Sequence, residues 1–203
     1  MTRQQVLAWL NERRPAPPPG LGAHLEAAVV DAPDPLPEHL ARLGSDLLAR
    51  VARHPAGGRE VALDLLAADA QHIAAEYVVR FSRNRRALPA IALTTDTSLL
   101  TACGNDLGFD EVFARQVEAL VGPGDLLILH STSVESPNVV RAAQAAKAKG
   151  AAVVALLGKG GGPARELVDD ALVIPSEHTA HIQELHLAVE HVICELVERE
   201  LGL

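Results

Sequence analysis

The apolar run Leu126-Leu127-Ile128-Leu129, followed at once by Ser131-Thr132-Ser133-Val134-Glu135-Ser136-Pro137-Asn138, constrains this chain more than any other stretch. Aliphatic residues in succession, with no polar alternation, suit a strand covered on both faces, the habit of parallel sheets. The hydroxyl-rich turn and the helix-like segment Val139–Lys149 behind it complete a strand–turn–helix unit. Exposed N–H groups and the positive end of the helix dipole favour an anion at such a turn, and hydroxyls add donors. Plain capping uses some of the same residues, since Ser136 is a good N-cap and Pro137 suits the first helical position. Glu135 is the awkward member, a carboxylate placed where an anion should sit.

The pattern repeats along the chain. Strand-like runs at Ala90–Thr94, Asp125–His130, Ala152–Leu157 and Ala171–Ile174 alternate with helical periodicity at Ala67–Phe81, Gly108–Leu120, Pro137–Lys149, Pro163–Leu167 and Thr179–Leu201. Glu60–Leu66 is compatible with a strand or with the start of a helix. Such alternation predicts an α/β fold, a parallel sheet between two helical layers. Ahead of it, residues 2–13 and 37–53 carry helical spacing, and Pro15–Gly20 reads as a stiff linker. The expected division is an N-terminal helical arm and linker over 1–36 and one α/β domain over 37–203.

Composition narrows the function classes. A net charge of −8 argues against direct nucleic-acid binding, which needs clustered Lys and Arg. Arg83, Arg85 and Arg86 form the compact basic cluster and read as a solvated turn. Cys103 and Cys194 are two isolated cysteines, read as small buried hydrophobes in a reduced, cytoplasmic setting. The N-terminus lacks the long apolar run of a signal peptide or membrane span. Gly158-Lys159-Gly160-Gly161-Gly162 lacks the Walker spacing and reads as a strand-to-helix turn.

Three constellations carry possible chemistry. His72 and Glu76, four apart, share one helix face, a spacing that suits a divalent metal, a carboxylate beside an imidazole, or a solvated pair. Gln183 and His191 lie along one stripe of the last helix, roughly 12 Å apart at helical rise. Both reach one ion only if Gln183 sits in an unwound first turn. Thr94-Thr95-Asp96-Thr97-Ser98 and Gly104-Asn105-Asp106 are polar groups just past a strand end, where parallel sheets place ligands. His130 and His178 are extra imidazoles near the expected rim, with a satisfied or solvated role as the default.

The segments Ala67–His72, Ala75-Glu76, Thr94–Thr101, Gly104–Asp106, Gly108-Phe109, Gln116–Leu120, Ser131–Ser133, Asn138-Val139, Ile182–Glu184 and His186 together resemble the sugar isomerase (SIS) domain of phosphoheptose isomerases. The likeness spans roughly residues 40–200. It implies a three-layer, flavodoxin-like α/β/α sandwich and the aldose–ketose exchange of sedoheptulose 7-phosphate. It implies a zinc site of His72, Glu76, Gln183 and His191, with Glu76 and His191 handling protons in an enediol mechanism. It implies Ser131, Thr132, Ser133 and Ser136 on the phosphate, Asn105 and Asp106 on the sugar, and Arg80 as structural support. The surplus apolar surface of the last helix (Leu185, Val189, Val192, Ile193, Leu196, Val197) points to a homotetramer.

The chain departs from that family in two places. Where the family carries Gly-Asn-Gly-Gly-Ser, this chain reads Ala62-Leu63-Asp64-Leu65-Leu66, a segment expected to extend the following helix or to pack differently. In the phosphate turn, Val134 and Glu135 replace Gly and Asn. Two like charges about 4 Å apart repel by about 1 kcal/mol in water and about 4 kcal/mol at an effective dielectric near 20. That is a fivefold to thousandfold loss of affinity, roughly. Three functions are therefore weighed: an active phosphoheptose isomerase, an isomerase for an altered sugar, and a non-catalytic SIS paralogue. The last would serve a mixed tetramer with an intact paralogue or dock a protein partner, as the replication-initiator-binding type does.

Overall fold

The computed structural model describes residues 60–64, 67–133 and 135–200. The helices read over 2–13 and 37–53, the linker, the boundary at 36/37, Leu65-Leu66 and Val134 lie outside the described residues. In chain order the described elements are β1 (Glu60–Asp64), α1 (Ala67–Val78), β2 (Ala90–Ala92), α2 (Thr97–Asp106), a 3-10 turn (Phe109–Glu111) and α3 (Ala114–Leu120). Then follow β3 (Leu126–Ser131), α4 (Pro137–Ala148), β4 (Ala152–Leu157), α5 (Ala164–Leu167), β5 (Asp170–Val173) and α6 (Thr179–Glu200).

The strands form a five-stranded sheet in the order β2-β1-β3-β4-β5, every pairing parallel. Every residue of β3 is buried, as its unbroken apolar run requires. Its side chains alternate between faces. Leu126 and Ile128 join a core with Ile73 and Tyr77 of α1 and Ile182, Leu185, Val189 and Ile193 of α6. Leu127 and Leu129 join a second core with Cys103 of α2, Val117 of α3 and Val139, Ala142 and Ala146 of α4. Two helical layers therefore enclose the sheet, as the sequence predicts. Cys103 and Cys194 are buried and form no disulfide, again as read.

Three elements differ from the sequence reading. Ala62–Asp64 does not lengthen α1: it is strand, paired with Ile128–His130 of β3, and the helix begins at Ala67. The stretch read as polar site loops contains α2, whose N-cap is Asp96, its carboxylate accepting from the Leu99 N–H at 2.9 Å. The single helix read over 108–120 is a 3-10 turn followed by α3.

Two glycines fix the packing. Gly150 takes φ +75° after α4, and the Ala151 N–H donates to Ala146 O at 3.1 Å, which closes the helix end. At the end of β4, a Cβ on Gly158 would lie 2.4 Å from Ile182 Cδ1. Only a hydrogen fits there, so α6 sits directly on the strand end. Among the described residues no helix is long and apolar enough to cross a membrane.

Candidate functional site

Helices α1 and α6 lie against the same sheet face, and their contact brings sequence-distant groups together. His72 Nε2 faces His191 Nε2 at 2.9 Å, and the two rings meet edge to face with centroids 5.2 Å apart. Glu76, one turn after His72, places Oε1 3.7 Å from the same His72 Nε2. Phe81 stacks behind His191, with ring centroids 5.4 Å apart. Of the expected ligands, these three form the group.

Gln183 is half-buried in the first part of α6. The helix is regular from Thr179, so the unwound start that the sequence reading required is not present. Gln183 therefore lies roughly 12 Å along the axis from His191. It borders the strand ends instead, since its neighbour Ile182 packs on Gly158, whose N–H donates to Ser131 O at 2.9 Å. Among the described residues no group of three or more His, Cys, Asp and Glu side chains gathers as a metal site. The donor chemistry nevertheless fits zinc. Two imidazole nitrogens 2.9 Å apart share one proton, and a small opening of the pair would admit a cation. Their separation approaches the roughly 3.3 Å of two nitrogens on one tetrahedral ion.

The turn after β3 forms as the sequence predicts. Ser131 is buried and its hydroxyl donates to Ser133 O at 2.9 Å, while Ser133 Oγ and Ser136 Oγ share a hydrogen bond of 2.6 Å. Ser136 is the N-cap residue of α4, but its side chain makes no capping bond to the helix N–H groups. Pro137 has no N–H and the Val139 N–H donates to Asn138 Oδ1 at 3.0 Å, so an anion at the positive end of α4 would rest on the dipole and the serine hydroxyls. Thr132 is half-buried and Glu135 is exposed. Exposure puts Glu135 toward the screened end of the repulsion range.

Asn105 and Asp106 are not part of this turn. They occupy the exposed last residues of α2, about 13 Å of helix beyond its start at the strand end. Asp106 lines a groove between α2 and α3 with Leu99, Cys103, Leu107, Arg115 and Leu120. Arg80 is exposed.

Sequence reasoning missed two buried ionic groups. The first corrects the reading of the arginine cluster. The Arg85 side chain is 3% exposed and pairs through Nε with Glu198 Oε1 at 2.9 Å; Glu198 is 1% exposed. Glu198 also accepts from the N–H groups of Phe81, Ser82 and Arg83 at 2.9, 3.1 and 3.0 Å, and from the Ser82 hydroxyl at 2.9 Å. The second corrects His130, which is fully buried rather than at the rim. It faces α6, where His130 Nε2 meets Glu190 Oε1 at 2.5 Å, with His186 close by at 6.0 Å between ring centroids. His178, by contrast, is exposed beside His181. No local signal marks Glu190 or Glu198; each partner is more than fifty residues away.

These groups make stability depend on pH. Burial, then the nearby His130 imidazole, hold the His186 pKa down from 6.5 to about 3 against a hydrogen bond with the Leu157 backbone. Burial pushes the Glu198 carboxyl up, but the donors of Phe81, Ser82 and Arg83 outweigh it and bring it from 4.5 down to about 2. Both groups bind protons more weakly when folded, so both stabilise the fold at neutral pH and lose that contribution on acidification. The Glu198 share, lost between about pH 4.5 and 2, amounts to about 3 kcal/mol. Urea denaturation is expected to give constant stability above pH 7 and a fall from pH 6.5 downward. His186→Leu should remove the part of the fall above pH 4.5 and keep the part below. A wild-type profile flat to pH 4 would contradict the His186 assignment, and one flat from pH 4 to 2 in His186→Leu would contradict that of Glu198.

Comparison with known proteins identifies the family. The family model described as SIS domain matches residues 67–158. Phosphoheptose isomerases of a Nitratiruptor species and a Geobacter species are 58% and 57% identical to this chain over 132 and 137 residues. Those matches cover 65% and 68% of this chain and 71% of each relative. The solved phosphoheptose isomerase from Francisella tularensis matches with a TM-score of 0.77 at 29% identity, over 98% of this chain and 100% of that one. The Neisseria gonorrhoeae phosphoheptose isomerase matches with a TM-score of 0.75 at 35% identity, over 97% and 98%. With 58% identity to a relative of which it covers 71%, the chain belongs to the phosphoheptose isomerase family of SIS-domain proteins.

Proposed function

We propose that this chain is a zinc-dependent phosphoheptose isomerase, exchanging sedoheptulose 7-phosphate and the corresponding aldoheptose 7-phosphate. The observation that carries the reading is the His72–His191 pair at 2.9 Å with Glu76 beside it, built from both ends of the domain. His72, His191 and Glu76 would hold the zinc; Gln183 lies too far along α6 to join them and keeps only its expected place on the sugar. Bound there, zinc would supply a Lewis acid for the sugar oxygens. The Glu76 carboxylate takes a proton from the carbon beside the carbonyl and returns it to the former carbonyl carbon. His191 passes a proton between the two sugar oxygens. Ser131, Thr132, Ser133 and Ser136 hold the phosphate at the N-terminal end of α4, and Gln183 orients the sugar between turn and metal.

Asn105 and Asp106, exposed at the far end of α2, fit a role on the sugar of a neighbouring copy. That favours a homo-oligomer, a tetramer in this reading, in the cytoplasm. Glu135 favours a second reading, a non-catalytic subunit that binds zinc without turnover. A coupled assay of zinc-loaded protein with sedoheptulose 7-phosphate separates the two. Turnover is expected, and Glu135→Asn is expected to lower KM about fivefold, the low end of the charge penalty. Bound zinc with no turnover in either protein would transfer the chain to the second reading.

A further inference from the structure

The groove between α2 and α3, the loop over 158–162 and the His130–Glu190 pair offer less than the buried ion pair behind the site. The Arg85 guanidinium spends its whole fork on two elements. Its Nε reaches Glu198 of α6 at 2.9 Å. Its Nη2 donates to Glu76 O at 2.7 Å, and its Nη1 donates to Tyr77 O at 2.8 Å and to Arg86 O at 3.0 Å. The carbonyls of Glu76 and Tyr77 belong to the last turn of α1, where no further helical N–H exists to satisfy them. Glu198 sits two turns beyond His191, on the same face of α6. Its carboxylate gathers the N–H groups of Phe81, Ser82 and Arg83, so the segment leaving α1 wraps around it.

Two arms of this clamp end on site residues. One holds the backbone of Glu76. Another holds the backbone of Phe81, whose ring backs His191. A planar fork between two helices fixes distance and angle together, which a lysine ammonium does not. We propose that Arg85 and Glu198 are positioning residues that set the α1–α6 separation at which His72 and His191 meet. The functional weight of this inference rests on the reading of that pair as metal ligands.

The test compares Arg85→Lys with Val117→Ala, a cavity variant in the core on the opposite sheet face. Two readouts are taken on folded protein: zinc affinity by chelator competition, and the cross-peak between the His72 and His191 Hε1 protons in metal-free protein with labelled histidine. Arg85→Lys is expected to weaken zinc binding at least tenfold, within the roughly 10–100-fold range for residues that support metal ligands. It should also remove the cross-peak. Val117→Ala should leave affinity within twofold and the cross-peak intact. If Arg85→Lys does not fold, Ser82→Ala, which removes one donor to Glu198, is expected to weaken zinc binding by a smaller factor, about threefold. A cross-peak that survives Arg85→Lys unchanged, with affinity lowered no more than in Val117→Ala, overturns the positioning role. Wild-type protein that takes up no zinc while the cross-peak still responds to Arg85→Lys overturns the metal reading alone and supports the clamp.

Discussion

Glu76→Gln is expected to lower kcat for sedoheptulose 7-phosphate by about 10²- to 10⁴-fold, with a much smaller change in KM. Glutamine keeps the shape and the amide oxygen of the side chain but cannot accept and return a proton near neutral pH. The Glu76 side chain is 21% exposed and lies 3.7 Å from His72 Nε2, so the substitution opens no cavity and breaks no close ion pair. Its backbone carbonyl remains bound to Arg85. The loss should therefore appear in turnover rather than in folding. Assays at saturating zinc separate the proton-transfer role from any loss of metal. A kcat within threefold of wild type under those conditions would remove Glu76 from the chemistry.

The His130–Glu190 pair carries the second large expectation, in stability. Both side chains are buried, 0% and 3% exposed. His130→Leu leaves the Glu190 carboxylate enclosed without its imidazole, and loss of one partner from a buried pair typically costs about 3–5 kcal/mol. Glu190→Met leaves a neutral imidazole in the same place and should cost less, about 1–3 kcal/mol. Replacing both at once restores an apolar contact between β3 and α6, so the double variant should be near wild type. Urea denaturation of the four proteins at pH 7.5 gives the coupling directly. Additive losses in the double variant would mean that the two groups do not stabilise one another.

The sheet was legible because its strands are aliphatic along both faces. Leu126–Leu129 and Val153–Leu157 admit few other placements once helical periodicity separates them. The hydroxyl-rich turn after β3 and the His72–Glu76 spacing were legible for a similar reason, since each is local. Long-range partners were not. Three arginines within four positions read as solvent-facing, yet Arg85 is buried against a carboxylate 113 residues further on. His130 looked like a rim group because its parity on β3, shared with Ile128, has meaning only once α6 is known to cover that face. Helix α2 carried a start signal in Asp96, but its polar ends read as groups just past a strand end, although ten residues of helix carry Asn105 and Asp106 away from it. The placement of Glu60–Asp64 as a strand between β2 and β3 needed the register with Ile128–His130. Periodicity over five residues does not distinguish that from a first helical turn.

The contact between Gly158 and Ile182 acts as a fulcrum for α6. With no clearance at that point, α6 cannot approach the end of β4 more closely, and the direction it takes from there sets where His191 lies. The lever from Ile182 to His191 is about 14 Å, so each degree of swing displaces His191 by about 0.2 Å. A few degrees decide whether the two imidazoles touch. The opposite end of the lever carries Glu198, where a small change of direction is felt along the whole face that bears His191.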